Sequence, residues 1–392
     1  MTGERSIWTY PWDLHDIGVE AAVERVTEAG LGMISLATSY HAGRFLQPGN
    51  PRRRVYYPQD GTVYYRIDPD LWADHEIRPE QAAIVTDEGD MLARLVGLRD
   101  AGGPGVSCWT VFLHNTRVGM AHPGHVLRTA HGDPQYYGLC PSSPAVRAYA
   151  VTLAHEISHR YRPDRIEVES PDFMGFAHGY HHEKDGLGLL AEDIFLFGIC
   201  FCRHCLTRAS AAGVDAAAAR AEVAGLLDAA LTRAVPQAQF PDFPTQGTAA
   251  FARFKALSVY LVWRCEPVTS LLAAIRAATH PDTRLLLIDF AGSWQGGVDL
   301  PAIAPHIDGV VHCAYTTPPD QIAGLFAATR ATLGPDKTLI AGFQVFYPTV
   351  ADAADLANRV AQTRPHADGV NFYNLGLIPR ARLAWISQAL RG

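Results

Sequence analysis

Three features are missing from this sequence, and each absence excludes a class of protein. Positive charge is not in excess: 33 lysines and arginines stand against 40 acidic residues, a net charge of −7, so no basic face for nucleic acid is indicated. No apolar run approaches the roughly 18 residues of a membrane-spanning helix. The first residues, MTGERSIWTYPWDL, lack the apolar segment of a secretory signal. We therefore expect a soluble, cytoplasmic protein without a nucleic-acid or membrane partner.

A disulfide framework is also missing. The seven cysteines are odd in number, and Cys200, Cys202 and Cys205 lie within six positions. In a reducing compartment, such a cluster indicates thiolates that bind a metal ion.

No internal repeat is evident beyond an alternation of short β-branched or aromatic runs with helical stretches. Helical periodicity marks 19–29, 144–159 and 321–333. Eight strands with intervening helices predict an α/β fold, a (β/α)8 TIM barrel. A doubly wound open sheet would show the same alternation, so the strand count decides. The predicted strands are 6–12, 33–38, 106–113, 165–170, 284–289, 309–315, 338–345 and 369–373.

Long segments follow predicted strands 2, 3 and 4. They are 38–79, 115–143 and 173–246, and the last holds the cysteine cluster and an Ala-rich helical insertion at about 206–246. Loops at the carboxyl ends of barrel strands build active sites. We therefore expect one barrel domain, residues 1–392, with its site at this face.

The segment Cys200-Phe201-Cys202-Arg203-His204-Cys205 has the spacing C-x-C-x-x-C. Thiolates this close suit a tetrahedral structural zinc, which adds folding free energy. A fourth ligand must come from elsewhere. His204 and another cysteine are both open, and Cys140, just before a predicted helix, is the best candidate. Buried thiols without metal are the alternative interpretation.

The cysteine segments resemble those of the glycoside hydrolase family 42 β-galactosidases. In that family, Cys-Pro-Asn-Ser-Pro opens the helix before strand four, C-x-C-x-x-C follows strand four, and the four cysteines bind one zinc. Here Cys140-Pro141-Ser142-Ser143-Pro144 and the 200–205 segment stand in the same order. The likeness is fainter at Tyr10-Pro11-Trp12 and 254–278. It implies a structural Zn²⁺ held by Cys140, Cys200, Cys202 and Cys205, and a homo-oligomer, because the family forms trimers.

The resemblance also concerns the catalytic carboxylates. The family's general acid/base is a Glu at the tip of strand four, preceded by Asn, and its nucleophile is a Glu that ends strand seven. Glu169 matches the first position, although Val168 replaces the Asn, and Gln344 stands near the second. A neutral amide cannot attack an anomeric carbon as a carboxylate does, so Gln344 does not supply the nucleophile that the family implies.

Two further carboxylates lie on predicted strands. Asp289 ends the apolar run from Leu286, where an unpaired charge is costly unless it lies at the barrel mouth. We predict it as the second catalytic carboxylate, and a capping or salt-bridged Asp fits equally. Glu167 lies on the same side of its strand as Glu169 and is expected to support it from deeper in the barrel. A structural ion pair of Glu169 with Arg165 is the alternative to catalysis.

Aromatic and polar residues at or beyond the strand ends are expected to contact a sugar, because aromatic faces stack on sugar rings and polar tips bond hydroxyls. Packing or loop structure explains each of them equally well. The candidates are Trp8, Tyr10, His41, Arg44, His114, Asn115, Asp172, His181, Gln344, Asn371 and Tyr373.

One motif indicates different chemistry. His155-Glu156-Ile157-Ser158-His159 matches the H-E-x-x-H pattern of zinc proteases. We expect these polar residues on the solvated side of an outer helix, and 160–163 lack a G-x-x-H continuation. The predicted function is a glycoside hydrolase that acts on a small glycoside or oligosaccharide. A zinc metallopeptidase and a non-catalytic carbohydrate-binding barrel are the alternatives.

Overall fold

Eight runs of β-branched and aromatic residues form parallel strands that close into a barrel. The structure, a computed structural model, describes residues 3–177 and 183–391. The strands are β1 (Glu4–Thr9), β2 (Met33–Tyr40), β3 (Gly105–Val111), β4 (Arg165–Glu169), β5 (Arg284–Phe290), β6 (Gly309–Cys313), β7 (Thr338–Gln344) and β8 (Gly369–Tyr373). Each pairs with the next, and β8 pairs with β1, so that Asn371 lies opposite Ser6. The closed ring confirms the predicted TIM barrel and excludes the open sheet.

Three strands end two or more residues sooner than predicted. β1 stops at Thr9 rather than at residue 12, because Pro11 opens a helix, where its missing N–H and its fixed φ are tolerated. The backbone N–H of Tyr10 donates to Asp13 Oδ2 at 3.0 Å and helps to cap this helix. β3 and β6 each end two residues before the predicted runs, at Val111 and Cys313.

Helices cover the outside of the barrel. The predicted helices at 19–29, 144–159 and 321–333 are present, each with one end shifted by one residue. In the described residues, the helices are α1 (Pro11–Ile17), α2 (Val19–Glu28), α3 (Ala83–Glu88), α4 (Met91–Asp100), α5 (Thr116–Ala121), α6 (Pro144–Arg160), α7 (Ala191–Phe197), α8 (Arg203–Ala211), α9 (Ala216–Thr232), α10 (Phe243–Gln246), α11 (Lys255–Trp263), α12 (Cys265–Ala278), α13 (Leu300–Ile303), α14 (Ile322–Leu333), α15 (Ala353–Thr363) and α16 (Leu383–Arg391).

Alternate residues of each strand face the barrel interior. The outward residues, such as Ile7, Ile34 and Ile166, pack in the main core together with residues of the surrounding helices. Several inward residues below the mouth are polar and fully buried, whereas such barrels usually have branched apolar residues at these positions. These polar residues are Ser6, Ser35, Ser107, Arg165, Glu167 and Asn371.

The long segments carry short elements of their own. After β2, the strands Phe45–Leu46 and Val55–Tyr56 pair with each other, and Thr62–Val63 pairs with the end of β2. After β3, Val126–Arg128 pairs with Pro134–Leu139. The segment after β4 contains α7 to α10. Across residues 3–177 and 183–391, no helix combines the length and the apolar character that a bilayer crossing requires.

Candidate functional site

A cavity of about 160 Å³ opens at the carboxyl-terminal ends of the strands. TIM-barrel enzymes place their active sites at this end. Most of the wall is aromatic, and among the described residues Glu169 is the one carboxyl group that lines it. The lining residues are Trp8, Tyr40, Trp109, Glu169, Ile288, Phe290, Tyr315, Gln344 and Tyr373.

Glu169 ends β4 and points into the cavity, because it alternates with Val168, which packs outward in the main core. Its side chain is largely buried, and Oε2 accepts a hydrogen bond from the indole Nε1–H of Trp109. Burial raises the pKa of the Glu169 carboxyl group to about 7; the Trp109 hydrogen bond opposes this rise, and the charge of Glu167 adds to it. Near neutral pH both protonation states are populated, as acid/base catalysis requires.

Glu167 lies below Glu169 on the same side of β4 and is hydrogen-bonded through both oxygens. Oε1 accepts from Ser35 Oγ at 2.8 Å and pairs with Arg165 Nη2 at 2.6 Å. Oε2 accepts from Trp8 Nε1 at 2.6 Å. Because Arg165 pairs with Glu167, the ion pair between Arg165 and Glu169 that the sequence left open does not form.

Three tyrosine hydroxyls form a chain beside the cavity. Tyr10 Oη lies 3.1 Å from Tyr40 Oη and 2.6 Å from Tyr373 Oη. Burial raises the pKa of Tyr10 and Tyr40 well above the usual value and that of Tyr373 to about 12. All three are therefore neutral near pH 7. Their hydroxyls can donate and accept while their rings present apolar faces, a combination that suits a sugar.

Five predicted substrate contacts lie in or just below the cavity. Trp8, Gln344 and Tyr373 line it. Tyr10 is completely buried behind the wall through its bonds with Tyr40 and Tyr373, and Asn371 is completely buried two positions before Tyr373. The structure therefore assembles these residues from β1, β7 and β8 and the turn after β1.

Three predicted contacts lie on loops outside the cavity lining. His41 and His114 are partly buried, and the centroids of their rings are 4.2 Å apart. Arg44 is exposed. His181 lies outside the described residues.

Asn115 and Asp172 both lie outside the cavity lining. Asn115 caps α5, since Oδ1 accepts from the N–H of Val118 at 2.9 Å, and its Nδ2 donates to the Gly61 carbonyl at 3.2 Å. Asp172 does not line the cavity. Burial raises the pKa of its carboxyl group to about 7, its own backbone N–H and Arg264 oppose this rise, and the charges of Asp289 and Glu169 add to it.

Asp289 faces the helix layer. Its neighbours Ile288 and Phe290 line the cavity, so the alternation along β5 turns Asp289 outward. Oδ1 accepts from Ser293 Oγ at 2.6 Å, and Oδ2 lies 3.2 Å from His312 Nδ1 on β6. The catalytic role of Asp289 stays a prediction, and the structure does not place its carboxyl group beside Glu169 on the cavity wall.

The sequence reasoning missed five wall residues: Tyr40, Trp109, Ile288, Phe290 and Tyr315. Trp109 and Ile288 are inward residues one layer below the strand ends, where contacts were not sought, whereas Tyr40, Phe290 and Tyr315 lie at or just beyond strand ends. The alternation of inward and outward side chains along a strand could have identified Trp109, because it lies two positions before Val111, the last residue of β3, and therefore on the same side.

Four cysteine thiols come together away from the cavity. The Sγ atoms of Cys140, Cys200, Cys202 and Cys205 lie within 4.8 Å of one another, and all four residues are buried. Cys140 Sγ is 3.4 Å from the Sγ atoms of both Cys202 and Cys205. The predicted grouping of Cys140 with the 200–205 cluster is confirmed as a set that could hold a metal.

Backbone contacts with a hairpin position this cluster. The N–H of Phe201 donates to the carbonyl of Arg128 at 2.8 Å, and the N–H of Arg128 donates to Cys200 Sγ at 3.4 Å. His204, which the sequence left open as a ligand, instead places Nε2 3.2 Å from the carbonyl oxygen of Gly124.

Glu156 in the H-E-x-x-H motif does not lie on a solvated face, and this expectation was wrong. Its side chain is completely buried. It accepts from Tyr65 Oη at 3.2 Å, Trp72 Nε1 at 2.8 Å and the N–H of Asp68 at 2.5 Å, and it pairs with Arg160 Nη1 at 2.6 Å. The segment after β2 supplies three of these donors by folding over α6, which the periodicity of α6 could not reveal.

The two histidines of the motif do not form a metal site. The ring centroids of His155 and His159 are 4.0 Å apart, and His159 Nδ1 lies 3.0 Å from the carbonyl oxygen of His155. In the part of the chain that the structure describes, the cysteine cluster is the one group of potential ligands that lie close enough to share a metal ion.

Comparisons with known proteins reveal similarity of fold. No protein-family model matches the chain, and no curated protein matches it in sequence. The chain is similar in structure to alpha-L-fucosidase isoenzyme 2 from Paenibacillus thiaminolyticus, with a TM-score of 0.53 at 12% identity over 100% of this chain and 49% of that one. This chain thus spans about half the length of the fucosidase. An endo-1,4-beta-mannanase from Rhizomucor miehei gives a TM-score of 0.46 at 9% identity over 99% and 96% of the two chains. A GH18 chitinase from Pseudoalteromonas aurantia gives 0.44 at 10% identity over 99% of each.

Proposed function

We propose that the protein is a glycoside hydrolase with Glu169 as its general acid/base. One observation carries the proposal: a carboxyl group with a pKa of about 7 stands in a cavity whose wall consists mainly of aromatic rings with polar tips. A group poised near neutral pH transfers protons efficiently. The fold shared with an alpha-L-fucosidase supports a glycoside as the substrate class.

The size of the cavity supports a small substrate. Its volume of about 160 Å³ is below the roughly 300–1,000 Å³ typical of pockets for drug-sized ligands. In this proposal, one sugar ring packs against Trp8 and Trp109, and Tyr373 and Gln344 bond its hydroxyls. The protonated Glu169 then donates a proton to the glycosidic oxygen as the bond to the leaving group breaks. A water molecule forms the new bond to the anomeric carbon and gives a proton to the Glu169 carboxylate, which restores the protonated acid.

Hydrolysis through two carboxyl groups also needs a group to activate water or to attack the sugar. Asp289 was predicted for this role, but its bonds with Ser293 and His312 hold it on the outer side of β5. We therefore propose Glu169 as the one protein carboxyl group that acts at the cavity, and a structural function for Asp289.

A panel of aryl glycosides assayed with the wild type, Glu169→Gln and Asp289→Asn tests this proposal. We expect hydrolysis of at least one glycoside by the wild type, a loss of kcat of at least 100-fold in Glu169→Gln, and most of the activity in Asp289→Asn. Full activity in Glu169→Gln would refute the assignment. Glycan binding without turnover by the wild type would favour the carbohydrate-binding alternative.

We also propose that the four cysteines bind a structural Zn²⁺. Four sulfurs at ~2.3 Å from a tetrahedral zinc are about 3.8 Å apart, and the observed thiol separations, 3.4 Å for two pairs and all within 4.8 Å, fit that arrangement. The resemblance to the family 42 enzymes supports the same set. When bound, the ion would cross-link the segment before α6 to that before α8, remote from the reacting sugar.

A further inference from the structure

A line of alternating charges runs through the barrel interior and ends beneath Glu169. Arg284 Nη1 pairs with Glu4 Oε1 at 2.6 Å, and Glu4 Oε2 pairs with Arg165 Nη1 at 2.5 Å. Arg165 Nη2 then pairs with Glu167 Oε1 at 2.6 Å. The negative end of the line is Glu167, two positions before Glu169 on the same side of β4, which places the Cα atoms of the two residues about 7 Å apart along the strand.

Two indole rings bind these two carboxyl groups in the same manner. Trp8 Nε1 donates to Glu167 Oε2 at 2.6 Å, and Trp109 Nε1 donates to Glu169 Oε2. The ring centroids of the two tryptophans are 5.8 Å apart. Glu167 additionally has Ser35 and Arg165 as donors, whereas Trp109 is the side-chain donor to Glu169.

We propose that Glu167 and Trp109 are positioning residues that act through Glu169 in opposite directions. The fixed negative charge of Glu167 disfavours a second negative charge directly above it, and the Trp109 N–H favours the charged form and fixes the orientation of the carboxyl group. The catalytic consequence depends on the proposed glycosidase activity, whereas the effect on the ionisation of Glu169 does not. Burial is the main cause that keeps Glu169 partly protonated near neutral pH, the charge of Glu167 adds to this effect, and the Trp109 N–H opposes it.

Within residues 3–177 and 183–391, the other titratable groups near Glu169 separate into two kinds. Burial raises the pKa of Tyr40, Cys313 and Tyr315 well above the usual values and that of Tyr373 to about 12, so these groups stay neutral near pH 7. Asp172 titrates in the same range as Glu169 and must be distinguished from it. Among the described cavity residues, β1, β3, β5 and β7 present non-ionisable side chains: Trp8, Trp109, Ile288, Phe290 and Gln344.

Infrared titration of the carboxyl bands without substrate tests the proposal. The band of Glu169 is assigned by its loss in Glu169→Gln, which separates it from that of Asp172. We expect Glu167→Gln to lower the pKa of Glu169 and Trp109→Phe to raise it, each by about one unit. Trp8→Phe is the matched control, because it removes the same type of donor from Glu167 and should leave the pKa of Glu169 unchanged.

Each outcome decides the proposal. Shifts of Glu169 in the same direction in Glu167→Gln and Trp109→Phe, or an equal shift in Trp8→Phe, would overturn it. If Glu167→Gln does not fold because Arg165 loses its partner, the double variant Arg165→Met/Glu167→Gln, which removes both members of the pair, takes its place and should likewise lower the pKa of Glu169. With a substrate that the wild type hydrolyses, the pH above which kcat/KM falls should be lower in Glu167→Gln and higher in Trp109→Phe, because the general acid must be protonated. Titration shifts as expected without any hydrolysis would retain the positioning roles and reject the glycosidase.

Discussion

Four carboxyl groups of this barrel lie in four different surroundings. Glu156 has three hydrogen-bond donors and an arginine, and Glu167 has two donors and an arginine. Asp289 has a serine and a histidine. Glu169 has the indole of Trp109. A buried carboxylate is stable only when donors or cations replace water, so Glu169 is the group with the least support for its charge.

At the residue scale, we expect the glutamate of the H-E-x-x-H motif to matter for stability and its second histidine to matter little. Glu156→Ala leaves Tyr65, Trp72 and the N–H of Asp68 without their acceptor, and we expect a loss of about 3–5 kcal/mol in the free energy of unfolding. His159→Ala, at an exposed position of the same helix, should change it by about 0.5 kcal/mol or less.

Urea unfolding of the two variants measures this difference. Glycosidase activity of folded His155→Ala and His159→Ala should match that of the wild type. Peptidase activity of the wild type that is lost in either variant, and lost reversibly on chelation, would instead support the metallopeptidase alternative.

At the scale of elements, the cysteine cluster joins parts of the chain that are distant in sequence. Cys140 lies four residues before α6, and Cys202 directly precedes α8. Three of the four thiols come from one short segment, so a single distant cysteine, Cys140, completes the four potential metal ligands. A metal ion held there would stabilise the insertion after β4. The unfolded chain has no preformed site, so the free energy of ion binding adds to the free energy of folding.

Cys202→Ser tests the zinc proposal, with Cys265→Ser as its matched control. Cys265 is a free, partly exposed cysteine at the start of α12, outside the cluster. We expect one zinc per chain in the wild type and in Cys265→Ser, and less metal with a Tm lower by roughly 5 °C or more in Cys202→Ser. Elemental analysis and thermal unfolding measure both. Equal metal content in the two variants would reject zinc binding by the cluster.

At the scale of the whole molecule, three carboxyl groups link stability to pH. Burial is the main cause that raises the pKa of Asp13, Glu169 and Asp172 to about 7. An acid with a raised folded-state pKa contributes stability that is fully present below its unfolded pKa and is lost as pH rises through its folded pKa. The stability that these three groups contribute should therefore be lost between about pH 4 and pH 7.

Glu169→Gln isolates one of these contributions. For Glu169, the rise from 4.5 to about 7 corresponds to roughly 2–3 kcal/mol between pH 5 and pH 8. We expect the fall in unfolding free energy over this interval to be smaller by about that amount in Glu169→Gln, as measured by urea unfolding at both values. Glu24→Gln, at an exposed position of α2, is the control and should follow the wild type.

Periodicity along the chain was sufficient to predict the barrel and its eight strands, and local spacing grouped Cys200, Cys202 and Cys205. The resemblance to the family 42 enzymes supplied Cys140 as the fourth member, because no local spacing joins it to the other three. Position at a strand end likewise identified Glu169, and the structure places it in the cavity.

Only the tertiary structure decided which carboxyl groups face the cavity and which are enclosed elsewhere. Asp289 faces outward because its two neighbours line the wall, and Glu156 is buried because a segment some 90 residues earlier covers it. The surroundings of a side chain depend on chain segments that are remote in sequence, and these set the charge that the group can bear. The sequence thus determined the scaffold, and long-range packing decided the chemistry that each acidic residue can perform.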